Sequence, residues 1–201
     1  MARSIEQILL NDTIPGWTGC GELTNLASLA EQVPDHGVII EIGSMFGKTA
    51  MCLSQSAPTC SIHCYDLWPG NVEIPYDGNE YINSIDTFKE FTKSCENIFP
   101  RRINSVADLE YTTNSVDMVF IDAAHKNPWD WEYIEYFLEK LKPNGILCGH
   151  DYYENQFPDI RENIRRLEII LKKPVTLYPV DGSVWSFILY YHDLIINCHS
   201  S

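Results

Sequence analysis

Short runs rich in apolar and β-branched residues recur along the chain, at Val38–Ile42, Ser61–Tyr65, Val116–Asp122 and Ile146–Gly149. Such runs read as strands of a parallel sheet buried on both faces. Between them, apolar residues fall on a helical period at Glu22–Gln32, Lys48–Gln55, Ile82–Ile98, Trp129–Leu141 and Pro158–Leu171. Phe88, Phe91 and Ile98 would share one face of the third of these helices. A short helix is expected at residues 3–10, and a short third strand with its loop at Arg101–Ala107. Pro34-Asp35-His36-Gly37, Ala57-Pro58-Thr59 and Lys142-Pro143-Asn144-Gly145 act as breaks. Pro69–Gly78 reads as an irregular acidic insertion, and Val175–Val180 with Val184–Tyr191 as a hairpin about Asp181-Gly182. The alternation predicts an α/β fold with a parallel sheet.

At 201 residues the chain suits one domain over residues 1–201 with a sizeable core. Residues 1–36 would form an N-terminal helical cap and residues 69–80 an insertion loop. A formal charge of −14 speaks against a nucleic-acid partner, since binders of phosphate backbones carry a basic face. No run approaches the roughly 18–20 apolar residues of a membrane span, and Met1-Ala2-Arg3-Ser4 does not open a secretory segment. Seven cysteines without a C-x-x-C pair fit reduced thiols, and a cytoplasmic protein is expected. Cys60 and Cys64 lack a second ligand pair for zinc. Trp129, Trp131, Tyr133 and Tyr136 could serve a homo-oligomer interface, although helical spacing places half of them in the core.

The stretch that organises the chain is Glu41-Ile42-Gly43-Ser44-Met45-Phe46-Gly47-Lys48-Thr49: a strand ending in an acid, a tight turn and a helix start. A turn of this kind lets backbone approach a ligand and points unpaired helix N–H groups at it. A G-x-G-x-x-G fingerprint is absent, because Ser44 and Met45 stand where its second glycine is needed. Gly43-x-x-x-Gly47-Lys48-Thr49 is one residue short of a P-loop, which with the Walker-B-like strand ending at Asp122 keeps a nucleoside-triphosphatase reading open. Asp66 lies about 20 residues beyond the turn, where a nucleoside site places its ribose-binding acid. Leu67 and Trp68 would flank a base, and Ser105 and Asp108 lie on the same side.

Asp117–His125, Leu141–Tyr152 and Glu41–Ser44 together resemble class I S-adenosylmethionine (SAM) methyltransferases. The branch includes macrolide-sugar and other small-molecule O-methyltransferases and, more distantly, catechol O-methyltransferase. The likeness spans roughly residues 20–190. It implies a Rossmann-like, doubly wound seven-stranded sheet of order 3-2-1-4-5-7-6, the last strand antiparallel, with helices on both faces. It also implies that Glu41 reaches the methionine amino group, that Gly43, Ser44, Gly47 and Thr49 form the cofactor turn, and that Trp17 covers the cofactor. Two departures stand out: Asn144-Gly145 replaces the common double glycine, and Ala124 stands where an acid is frequent.

In that strand order Asp122 and Asp151 emerge from neighbouring strands about 4.8 Å apart. Two carboxylates so placed repel unless a cation lies between them, and Mg²⁺ is the default occupant. His150 is either a further ligand, favouring Mn²⁺, or the group that orients Asp151. By resemblance His125 is the general base and Asp122 its catalytic neighbour. The reading is thus a SAM-dependent, metal-assisted O-methyltransferase acting on a small hydroxylated molecule such as a sugar or glycoside. Its alternatives are a non-catalytic SAM-binding protein and the P-loop enzyme.

Overall fold

The computed structural model describes residues 14–153, 155–178 and 183–190. The helix expected at residues 3–10 and the Asp181-Gly182 turn lie outside them. Helix α1 (Cys20–Ala30) precedes β1 (Val38–Ile42), α2 (Lys48–Ser56) and β2 (Ser61–Asp66). A small hairpin follows, β3 (Glu73–Tyr76) with β4 (Asn79–Ile82), and then α3 (Ile85–Thr92) and β5 (Ile98–Arg102). The second half runs β6 (Val116–Ile121), α4 (Trp129–Lys140), β7 (Leu141–Gly149), α5 (Pro158–Leu171), β8 (Thr176–Leu177) and β9 (Trp185–Ile188). The main sheet has the order β5-β2-β1-β6-β7-β9-β8, and β9 pairs antiparallel with both neighbours. Counted within the sheet, this is the expected 3-2-1-4-5-7-6 arrangement.

Consecutive residues of the central strands point to opposite faces, and each face is covered. Ile40, Ile42, Val119 and Ile121 pack with Ile134 and Phe137 of α4 and Ile160, Ile164 and Leu167 of α5. Ile39, Met118 and Phe120 pack with Leu26 and Leu29 of α1, Leu53 of α2 and Phe88 of α3. Every residue of β6 is buried, Asp117 included. Its Oδ2 is satisfied by the Lys142 ammonium at 2.7 Å and the Val38 N–H at 2.9 Å.

Several elements depart from the sequence reading. The insertion is not irregular, because Asp77 and Gly78 both take positive φ (48° and 75°) and turn β3 back on β4. That is the Asp-Gly hairpin turn, with left-handed backbone at both central positions. The helix expected over Ile82–Ile98 shrinks to α3, since the Ser84 hydroxyl caps it by accepting from Thr87 N, while Ile98 starts a strand. That strand, β5, begins three residues before the predicted span, overlaps it at Arg101 and Arg102, and carries Pro100 where only an edge strand tolerates it. The expected turn at Lys142–Gly145 is instead part of β7, with a register shift opposite Val116 and Met118. Of the four aromatics of α4, Trp131 and Tyr133 are buried in the core, the half that helical spacing assigns there.

Register brings the strand ends into one row. Tyr65 lies beside Ile42, Ile42 beside Ile121, and Ile121 beside Gly149. The next residues, Asp66, Gly43, Asp122 and His150, therefore emerge side by side at one rim of the sheet.

Candidate active site

A cleft of about 1120 Å³ opens above that rim, just beyond the roughly 300–1,000 Å³ usual for ligand pockets. Its floor is Gly43, and its walls include Ser44, Asp66, Asp122, His125 and Asp151. Gly43 has φ +93°, and a Cβ there would lie 1.8 Å from the Asp122 carbonyl oxygen. Only glycine lets the two strand ends come this close. Ser44 lines the cleft, while its hydroxyl is buried beside the Glu41 carboxyl under the turn.

Asp66 accepts from Met45 N (2.8 Å) and Trp68 N (3.0 Å), so it braces the glycine turn while facing the cleft. Trp17 and Leu67 stand at the cleft mouth, 70% and 57% exposed. Trp68 does not line the cleft: its ring packs on Phe88 and its Nε1 donates to the Met45 carbonyl. The large apolar ring stabilises the turn from beneath, where burial is complete. Ser105 also stays out of the cleft, as its hydroxyl caps a 3₁₀ turn with Asp108. Ile103 and Asn104 face the cleft in its place.

Thr49 lines the cleft, whereas Gly47 and Glu41 do not. Gly47 is enclosed by Thr92 and Phe88. Glu41 is wholly buried beneath the turn, and burial pushes its carboxyl up to about 7, with Ser44, Thr49 and Cys64 opposing only in part. The folded state then holds a proton that the unfolded chain releases between about pH 4.5 and 7. Stability is full below that window and falls as pH rises through it. Glu41→Gln should flatten this fall, by about 3 kcal/mol across the window, in urea titrations from pH 4.5 to 8. An unchanged slope would contradict it.

Four ionisable groups converge on the β6 and β7 ends. His125 Nε2 is 3.7 Å from Asp122 Oδ1 and 3.4 Å from Asp151 Oδ2. His150 Nδ1 lies 3.1 Å from Asp151 Oδ1 and 4.0 Å from Asp122 Oδ1. Its other nitrogen is 2.7 Å from Glu22 Oε1. Burial alone would lower the His150 imidazole, but Asp151, Glu22 and Asp122 together outweigh it and push it up to about 10. Burial pushes Asp122 up to about 7, opposed by His150 and reinforced by Asp151 and Glu22. His125 and Asp151 hold left-handed backbone, φ 55° and 62°, a strain that collects at functional sites.

The donor atoms of Asp122, His125 and Asp151 lie within 4.8 Å of one another. Ligands at about 2.1 Å around an octahedral cation sit roughly 3 Å apart in adjacent positions, so little movement would bring these three around one ion. Both nitrogens of His150 face carboxylates instead. Three carboxyl groups, Glu22, Asp122 and Asp151, surround the His150 imidazole, an acidic setting that suits a divalent cation.

A profile of a methyltransferase-domain family matches residues 40–152, more than half of the chain and the whole of the rim just described. The chain belongs to this methyltransferase family. Solved structures share the fold of this SAM-dependent methyltransferase. The O-methyltransferase NovP superposes with a TM-score of 0.66 at 14% identity, covering 86% of this chain and 81% of its own. An O-methyltransferase from Bacillus cereus, solved in complex with SAH, gives 0.61 at 15% identity over 92% and 88%. Precorrin-6y C5,15-methyltransferase from Geobacter metallireducens GS-15 gives 0.65 at 13% over 88% and 96%. No curated protein sequence matches the chain.

The family match and the sheet order do not favour the nucleoside-triphosphatase reading, and Lys48 Nζ donates to the Gly16 carbonyl. No helix among the described residues is long and apolar enough to cross a membrane. Several cleft residues carry no signal in the sequence. Asn83 and Asn104 sit in loops without a motif, and Glu22 was hidden because it reads as an ordinary acid in the first turn of a helix.

Proposed function

We propose that the methyltransferase moves the SAM methyl group to a hydroxyl of a small molecule, with a divalent cation held by Asp122 and Asp151. The observation that carries this reading is the convergence of both carboxylates and His125 on the cleft above Gly43. In it, Gly43, Ser44 and Thr49 cradle the methionine end, Glu41 lies beneath, and Asp66 takes the ribose. Bound SAM supplies an electrophilic methyl, and a divalent cation would lower the pKa of the acceptor hydroxyl.

The remaining work falls to the chain. His125 Nε2 takes the hydroxyl proton, and the cleft walls align oxygen with methyl carbon. Trp17 and the half-exposed Trp129 offer flat faces at the mouth on which a sugar ring or similar acceptor packs, while a charge of −14 disfavours a nucleic-acid acceptor. A second role for His125 is favoured by its near-equal spacing from the two carboxylates, that of a third ligand. The test is transfer of labelled methyl from SAM to a panel of hydroxylated small molecules, with and without EDTA and added Mg²⁺ or Mn²⁺. Transfer that needs the cation supports the reading; transfer at full rate in EDTA overturns its metal part. Calorimetric Mg²⁺ binding kept in His125→Ala assigns the base, and its loss assigns the ligand.

A further inference from the structure

Glu22 is buried to all but 6% and uses its two oxygens on different parts of the molecule. Oε2 accepts from Gly19 N at 2.7 Å, closing the start of α1. Capping a helix needs only one oxygen. The other, Oε1, makes an ion-pair contact with His150 Nε2 at 2.7 Å, outside hydrogen-bond alignment, and His150 Nδ1 lies 3.1 Å from Asp151 Oδ1. The His150 carbonyl is itself held by Trp185 Nε1 at 3.1 Å. Residues 15–19, which wall the cleft, are thus fastened through one carboxylate to the acids at the ends of β6 and β7. A second tie, Lys48 Nζ to the Gly16 carbonyl at 3.3 Å, joins the same segment to the glycine turn.

We propose that Glu22 is a positioning residue that couples the cleft-wall segment to the reaction centre through His150, so that the wall segment and Asp151 are held in place together. The coupling rests on the reading of the cleft as the methyl-donor site. A buried acid and imidazole this close hold each other strongly, because removing either leaves the other without its charge partner in a dry setting. Loosening His150 should therefore free a segment that lies more than a hundred residues away in sequence.

The test compares wild type, Glu22→Gln, His150→Gln and the double variant, by hydrogen exchange of the peptide covering residues 15–22 and by calorimetric titration with S-adenosylhomocysteine. Each single change should weaken binding about tenfold, and the double no more than about twofold further, since both break one device. His150→Gln should also speed exchange in the 15–22 peptide about tenfold. Glu22→Asp, which keeps the charge but cannot span both partners, should behave as Glu22→Gln does. Leu167→Ala, a remote core change, serves as a control for general destabilisation and should leave affinity and exchange in the peptide unaltered. Additive losses, unchanged affinity in Glu22→Gln or unchanged exchange in His150→Gln would overturn the coupling. Wild-type protein that does not bind S-adenosylhomocysteine would instead remove the methyl-donor reading, and the exchange experiment would still decide the clamp.

Discussion

Asp122→Asn is expected to lower methyl transfer by about 10²–10³-fold, the usual cost of removing one electrostatic group from a reaction centre. Asparagine keeps the shape but brings no charge to a cation or to His125, whose Nε2 lies 3.7 Å away. Stability should move the other way. Burial holds the Asp122 carboxyl up to about 7, so ionising it costs the fold free energy that the unfolded chain does not lose. In the absence of divalent ion, the variant should therefore unfold at equal or higher urea concentration than wild type at pH 7.5, and at the same concentration near pH 4. Activity retained within tenfold would remove Asp122 from the chemistry, whereas loss of stability alongside activity would make it a structural acid.

The second large effect is structural. Gly43→Ala is expected to cost about 2–6 kcal/mol in urea unfolding, because two penalties of about 1–3 kcal/mol each coincide. One is a left-handed backbone at φ +93°, and the other is contact with the Asp122 carbonyl oxygen at 1.8 Å. Backbone, unlike a side-chain tip, cannot swing aside. Relief would separate the ends of β1 and β6 and break the bond from Asp122 N to Ile42 O, 2.8 Å. Gly78→Ala isolates the first penalty, since Gly78 shares the positive φ but has nothing within 4 Å of its added carbon. It should cost only about 1–2 kcal/mol. Equal losses in the two variants would mean that the close approach at Gly43 carries no weight.

How much of this was readable from the chain depended on the range of the forces involved. The β1–turn–α2 unit, the strand ending at Asp122 and the helix Pro158–Leu171 follow from local pattern, and the structure places them within a residue or two of their expected ends. Asp122 and Asp151 could be paired because the resemblance supplied a strand order, which no local pattern contains. Weak strands are poorly legible: β3 and β4 leave no sequence signal and β5 begins three residues before its expected start, because they are short or carry proline and their pairing rests on tertiary contact and turn geometry. Trp68 was assigned to the cleft because it follows Asp66 in sequence, yet a large ring beside Phe88 gains more by burial. Glu22 was missed altogether, since its partner His150 lies far along the chain and nothing in α1 announces it.

Calorimetric titration of the wild-type methyltransferase with S-adenosylhomocysteine bears most directly on the whole account. A single saturable site with dissociation in the micromolar range, about −8 kcal/mol, and abolished by Gly43→Ala, is the predicted outcome. No heat of binding at millimolar ligand, in protein shown to be folded, would contradict it.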